Sequence, residues 1–381
     1  MKRGFNCFSR ISIVFTLALF SVLAYGDELV EINEAFAKFE ASDLLALKNS
    51  MLLDAKKWDC AFWSVSDEKE VQKNLVLIGH EAGMPLEKGW SLSPVNANVD
   101  SKSKTDDSEV MCRRGDWVYV IGSHFGKKGG PLKAARQFEA RFSESGATMI
   151  DGVCSVSISI RKDEFLLHRL LNDALDSMRS EIIEPTAKER EQFIEAARSE
   201  GVKENESWVG RLKDSDWALN IEGADFLDNG SLLIGLRYPV TRDGHPILIE
   251  VANYEGFFEP TIPAPKAARV WIVENVGGPT QLTGVRSLRN QNGKIHFISG
   301  SIDSRVDVSL LLQQHPEGEA ADCAHYSLTL PNTAEKIARV NAELIRVFEK
   351  TQNIEGVAFD AQGRNFYIKD ALGNAPLLFP M

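Results

Sequence analysis

Two hairpins of one design, with partial copies elsewhere, predict an all-β fold: a β-propeller of about six four-stranded blades carrying helical insertions. In the first, at 219–240, two apolar runs flank Asp228-Asn229-Gly230-Ser231. Asn-Gly supplies the positive φ angles of a tight turn, and folding about it sets Phe226 against Leu233 and Glu222 against Arg237. In the second, at 353–373, Gln362-Gly363 is the turn and Glu355 faces Asp370. Each pair is fifteen residues apart. A weaker copy joins Glu109 to His124 around Arg114-Gly115-Asp116, with Val110 where the others have glycine. A fourth, Leu282-Thr283-Gly284-Val285, runs through Asn292-Gly293 to Ile295-His296-Phe297-Ile298 and has Thr283 in the glutamate position. Ile150-Asp151-Gly152-Val153 opens like the others, without a clear second strand.

Along the chain, residues 1–26 read as a cleaved signal peptide. Lys2, Arg3 and Arg10 precede the apolar run Ile11–Ala24, and Ala24-Tyr25-Gly26 offers a small-residue cleavage site. The run is short for a membrane span, so the mature chain, 27–381, is expected in the periplasm or the medium with no membrane span. It reads as a single propeller domain. A polar loop is expected at 95–109 and a helical insertion at 164–204, where Thr186 and Glu189 form a capping box and Gly201 a stop. A further helix is expected from Asn332 to about Lys350. Taking 109, 151, 222, 283 and 355 as unit starts, with an N-terminal unit containing Cys60–Glu81, gives six blades; five or seven fit similar spacing.

Cleavage takes the net charge from −11 to −14, which argues against nucleic acid and anionic membranes as partners. Cys60, Cys112, Cys154 and Cys323 remain, either as up to two disulfides or as buried free thiols. None forms a Cys-x-x-Cys pair, so zinc and thioredoxin-like chemistry lack support.

Asn220-Ile221-Glu222-Gly223, the run Ile234-Gly235-Leu236-Arg237-Tyr238-Pro239-Val240, Gly122-Ser123-His124 and the strand from Arg136 to Arg141 together resemble the bacterial family called domain of unknown function 3616. Val110 and the 164–204 insertion depart from its pattern. The resemblance implies a β-propeller and brings no activity with it. Phytase-like and lactonase-like propellers share Glu-Gly strand openings, with acidic residues at the channel mouth that hold divalent metal; that is an analogy of fold.

If the blades are equivalent, the open ends of the hairpins meet on one face. Glu109, Glu222, Glu355 and Asp370 then form an acidic set suited to Ca²⁺ or Mg²⁺, which prefer oxygen ligands. His124 is the candidate acid or base, and Arg237 the candidate anion holder. Lys127 and Lys128, in Gly126-Lys127-Lys128-Gly129-Gly130, are candidates for wrapping a phosphate. Each pairing has a plain structural alternative, a cross-strand ion pair that sets blade register. Ser123 and His124 point to opposite faces of a strand and form no dyad, and His80-Glu81 lacks the second histidine of a zincin. His296 reads as facing a neighbouring blade. Trp117, Tyr119, Phe226, Phe359, Phe366 and Tyr367 read as core between blades, and Asp303 and Asp307 as weaker channel candidates. Two functions follow: an exported propeller binding a small anionic molecule, a metal or a peptide, or a metal-assisted hydrolase of a phosphoester or lactone. The absence of a clear nucleophile favours the first.

Overall fold

A computed structural model of the chain describes residues 29–32, 39–67, 70–99, 104–304, 309–319, 321–348, 353–370 and 377–380. The signal segment 1–26 and Asp307 lie outside these residues. Their strands build a β-propeller of five blades.

Blade 1 runs outward from Asp43–Ala46 through Trp58–Val65 and Val76–Glu81 to Trp90–Val99. Blade 2 follows with Ser108–Arg114, Trp117–Gly122, Phe138–Ser143 and Val153–Lys162. Blade 3 comprises Asn220–Phe226, Leu232–Tyr238, Ile247–Ala252 and Lys266–Glu274; blade 4 comprises Thr283–Gln291, Lys294–Ser301, Ala324–Leu328 and Glu343–Val347. Blade 5 takes Ile354–Phe359, Asn365–Lys369 and Leu377–Pro380 from the C-terminal end and Leu29–Ile32 from the N-terminal end. The five inner strands pack side by side in chain order, and the last packs against the first.

The blades number five rather than six because Asp151-Gly152 is not a blade opening. With φ of 49° and 79°, these two residues turn the short strand Thr148–Ile150 back onto the outer strand of blade 2. Outer edges are also shared. The outer strands of blades 1 and 2 pair in parallel, Cys154 against Val95, which makes residues 95–99 strand rather than loop. Ile337–Asn341 pairs in parallel with the outer strand of blade 3. The helix expected at 332–350 is therefore two strands. From Ile337 to Asn341 every second residue is buried, Ala338 and Val340 inward and Arg339 outward, so the period is two. Helix-like local chemistry there is overridden by an available sheet edge.

The insertion between blades 2 and 3 is helical as expected. Leu166–Asp176 buries Leu167, Leu171 and Leu175 four residues apart. Thr186 Oγ1 accepts from the Glu189 N–H at 3.2 Å, opening a helix that runs to Glu204 through a π-helical stretch at Arg190–Glu195. Gly201 does not end it. A Cβ there would lie 2.6 Å from the Trp208 ring, and the helix stops instead at Asn205 in the left-handed region.

Aromatic residues fill the spaces between blades. Tyr119 of blade 2 meets Phe226 of blade 3 at 5.2 Å between ring centres, and Phe62 of blade 1 meets Phe366 of blade 5 at 5.0 Å. His296 faces Phe359 of the next blade at 4.7 Å. Cys60, Cys112, Cys154 and Cys323 are free and buried, on strands or strand ends too dispersed to pair.

Candidate functional site

The inner strands of blades 2 to 5 share one irregularity. Pairing with the second strand slips between Ser108 and Val110, between Ile221 and Gly223, between Val285 and Ser287, and between Ile354 and Gly356. The residues at the slips are Glu109, Glu222, Arg286 and Glu355. A bulge leaves one residue out of the ladder and re-aims its side chain. All four line a single cavity of about 590 Å³ at the channel mouth.

The glycine after the bulge has a separate cause. A Cβ on Gly223 would stand 2.9 Å from the backbone N of Leu288, and one on Gly356 2.9 Å from that of Leu44. Glu-Gly therefore sets a channel-facing carboxylate beside a point where neighbouring inner strands nearly touch.

Glu222 and Arg237 form a buried ion pair, as the hairpin predicts, although the turn places Phe226 against Leu232 rather than Leu233. The bulge brings the two charged groups together despite that one-residue offset. Arg237 Nε also donates to Ser301 O at 2.9 Å. Arg286 grips Glu355 with two nitrogens, Nε at 3.1 Å and Nη2 closer, and its Nε lies 3.9 Å from Glu222 Oε2. Two arginines thus alternate with two glutamates.

Arg286 is not singled out by the repeat, because residue-by-residue matching of the strand openings sets Thr283 against the glutamates. Counting back from the turn glycine would have found it. Glu222 and Glu355 each precede theirs by eight residues, Glu109 by six and Arg286 by seven, whereas Thr283 is ten away.

Glu109 has a different neighbourhood. One carboxylate oxygen from each of Asp67, Asp107 and Glu109 lies within 4.8 Å of the others. Asp107 accepts from Arg136 Nη1 at 2.7 Å and from Ser123 Oγ. Asp67 Oδ1 is buried with no hydrogen-bond partner among the described residues. Burial, reinforced by Asp107 and other neighbouring carboxylates, raises Asp67 to about 7. Burial raises Asp107 to about 6 against the pull of Arg136, and burial with Asp107 and Glu222 nearby holds Glu109 well above the usual carboxylate range. Glu355 is raised to about 7 by burial, with Arg286 opposing.

Of the remaining candidates, Asp370, Lys127 and Lys128 line the same cavity. The Asp370 N–H is tied to Asn353 O at 2.7 Å, and Lys128 O accepts from the Leu310 N–H at 2.9 Å. Asp303 also reaches the wall, but Ser304 N at 2.7 Å and Ser309 Oγ at 2.5 Å hold its carboxylate.

His124 is not in the site. Ladder pairing of blade 2 ends at Gly122, and at φ 58° the backbone of His124 turns the ring into the core. Ser123 reaches Asp107 instead. The His124 ring nitrogens stand 3.9 Å from Glu139 and from Asp163, too far for a hydrogen bond, and burial lowers its pKa to about 4. It is a neutral core histidine, not a partner of Glu109.

Three residues that line the cavity each carry a buried side-chain atom with no hydrogen-bond partner among the described residues: Asn220 Oδ1, Glu222 Oε2 and Arg237 Nη2, on residues no more than 5 % exposed. Buried polar atoms are nearly always paired, so three open ones on one cavity's lining residues call for a partner.

No protein-family model matches the sequence, and no curated protein does. Among solved structures, an exo-1,5-α-L-arabinanase from a bovine ruminal metagenomic library aligns over 91 % of this chain and 94 % of its own at 9 % identity and a TM-score of 0.40. A mannose phosphorylase from Leishmania mexicana, in complex with phosphate, covers 93 % and 88 % at 8 % identity and 0.40. A calcium structure of a family AA12 carbohydrate-active enzyme from Trichoderma reesei covers 94 % and 96 % at 10 % identity and 0.39. Likeness at this level says nothing about chemistry; the cavity's own residues have to carry the functional argument.

Proposed function

We propose that the protein is an exported binding propeller whose channel mouth holds a divalent cation, Ca²⁺ or Mg²⁺, as part of a site for a small polar molecule. One observation carries this reading: three carboxylates, Asp67, Asp107 and Glu109, converge within 4.8 Å, and burial raises the pKa of all three, with the Asp107 charge adding to it at Asp67 and Glu109. Like charges gathered in a buried cleft need protons or a cation to offset them. Arg237 and Arg286 are engaged by Glu222 and Glu355, and Arg136 by Asp107 and Asp106. Eight acidic and five basic side chains among the described residues line the cavity, which leaves the balance negative. Oxygen-only ligands favour Ca²⁺ or Mg²⁺ over softer metals.

Binding is favoured over hydrolysis because the imidazole offered as acid or base, His124, lies in the core. Hydrolysis would rest on cation-bound water alone. Export from Asp27 onward rests on the order of basic, apolar and small residues in 1–26; among the described residues no helix is long and apolar enough to cross a membrane.

The test is calorimetry with Ca²⁺ and Mg²⁺ on purified protein and on Glu109→Gln, alongside a phosphoester and lactone panel with and without EDTA. Saturable binding by wild type, weakened at least tenfold in the variant, is expected with no turnover. Turnover abolished by EDTA would make the protein a hydrolase, and an absence of cation binding would reject the site.

A further inference from the structure

The cation cluster occupies one part of the cavity; the unsatisfied atoms belong to another group of residues. Asn220 Oδ1, Glu222 Oε2 and Arg237 Nη2 come from the first two strands of blade 3, and their residues line the same cavity as Asp67, Asp107 and Glu109. Their chemistry is directional. Asn220 Nδ2 donates to Glu222 Oε1 at 3.2 Å, which leaves the amide oxygen as the open acceptor. Glu222 Oε2 is also an acceptor. With Nε on Ser301 O and Nη1 on Glu222, the guanidinium has Nη2 left as a charged donor for one oxygen of an anion.

A complementary molecule therefore donates two hydrogen bonds beside an anionic acceptor. An α-amino acid and a hydroxylated acid both meet that description, and the rest of the wall separates them. Ala41 and Phe125 are the only hydrophobic residues lining the cavity among those described. Such a wall has little to hold an apolar side chain and many partners for hydroxyl groups. The volume, about 590 Å³, lies within the range of small-molecule sites and admits a monosaccharide with solvent. A divalent cation at Asp67, Asp107 and Glu109 has coordination positions left over, because oxygen-liganded Ca²⁺ takes about six to eight ligands. Hydroxyl and carboxylate oxygens of one molecule can fill them.

We propose that the channel mouth binds a polyhydroxylated carboxylate of monosaccharide size, with its carboxylate on Arg237, hydroxyls on Asn220 and Glu222, and oxygens completing the coordination of a divalent cation. This rests on the cation reading above, and the experiment keeps the two apart. D-Glucuronate is titrated into the protein by calorimetry with Ca²⁺ and, separately, with EDTA. D-Glucose, which lacks the carboxylate, and L-alanine, which lacks the hydroxyls, are the controls. Ca²⁺ is titrated alone in parallel.

Glucuronate is expected to bind in Ca²⁺ and at least tenfold more weakly in EDTA, with glucose and alanine inert. Asn220→Ala, which retains the Arg237–Glu222 pair, should weaken glucuronate at least fivefold while leaving Ca²⁺ affinity within twofold. If that variant is unfolded by circular dichroism, Lys127→Ala at the exposed rim serves in its place, with a smaller loss expected. Ca²⁺ binding without glucuronate binding overturns this inference and leaves the cation reading standing. Glucuronate binding unaffected by EDTA overturns the cation's part in it, and alanine binding as well as glucuronate overturns the ligand class.

Discussion

Arg237 and Glu222 illustrate how much one pair can be responsible for. Both side chains are about 5 % exposed, and each has one atom bonded to the other and one buried atom without a hydrogen-bond partner among the described residues. Removing the carboxylate leaves a guanidinium buried without its partner, which costs about 3 kcal/mol. Glu222→Ala should therefore lower unfolding free energy by that amount in denaturant titrations read by tryptophan fluorescence. Glu222→Gln, which keeps an acceptor for Arg237, should lose roughly half as much. Equal losses in the two variants would mean that packing, not charge, holds the pair. At this scale the sequence is a good guide to which residues matter and a poorer one to where they point. Glu109, Glu222, Glu355 and Asp370 reach one cavity as the repeat implies. His124 does not, because a single left-handed residue after the strand end reverses its direction, and no composition or spacing reveals a φ of 58° at a histidine.

The element that carries the site is the bulged inner strand. In four blades the slip of register sits at the same place, and the charged residue within it faces the channel. Turn glycines made the hairpins legible, since Gly230 and Gly363 have φ of 85° and 79°. A bulge leaves no such mark. Aligning strands residue by residue from their apolar openings consequently put Thr283 where Arg286 belongs. The same blindness explains 337–347, where the sequence suggests a helix and the structure has two short edge strands: Ile337–Asn341 pairs with Lys266–Glu274, some 70 residues earlier, and Glu343–Val347 with Ala324–Leu328, and helix-like local chemistry says nothing of either partner. Gly223 tests the bulge directly. Its missing Cβ lets the backbone of blade 4 approach, and neither Ser287 C nor Leu288 N can yield without moving a strand. Gly223→Ala should cost about 2 kcal/mol by overpacking. It should also weaken Ca²⁺ binding by displacing the inner strands, a loss that calorimetry reads. A variant as stable as wild type would remove the close approach from the account.

Across the whole molecule, the channel carboxylates couple stability to pH and to cations. Burial raises Asp67 and Glu355 to about 7 and Asp107 to about 6, and holds Glu109 well above the usual carboxylate range. A raised carboxyl pKa means the folded state holds protons that the unfolded chain has already released. Stability of the cation-free protein therefore falls as pH rises through these values. Buried neutral His124 and His296, lowered to about 4, and His325, lowered to about 3, act in the opposite sense, and their contribution is lost as pH falls below 6.5. The window from about 6.5 to 8 isolates the carboxylates. Excess Ca²⁺ should raise the melting temperature more at pH 8 than at pH 6, because protons compete for the same oxygens at the lower pH. Differential scanning calorimetry at the two pH values is the check; an increment independent of pH would separate the cation from these residues.

The pairing of Leu29–Ile32 with Leu377–Pro380 has a consequence for the molecule's history. The latch that seals the ring joins the earliest described strand to the latest, so a growing chain is an open arc until residues 377–380 arrive. Glu355 and Asp370 belong to that last blade, and the cavity has no complete wall before them. The capacity to bind thus waits for the last blade, and a chain lacking either Leu29–Ile32 or Leu377–Pro380 forfeits the latch as surely as one missing a blade.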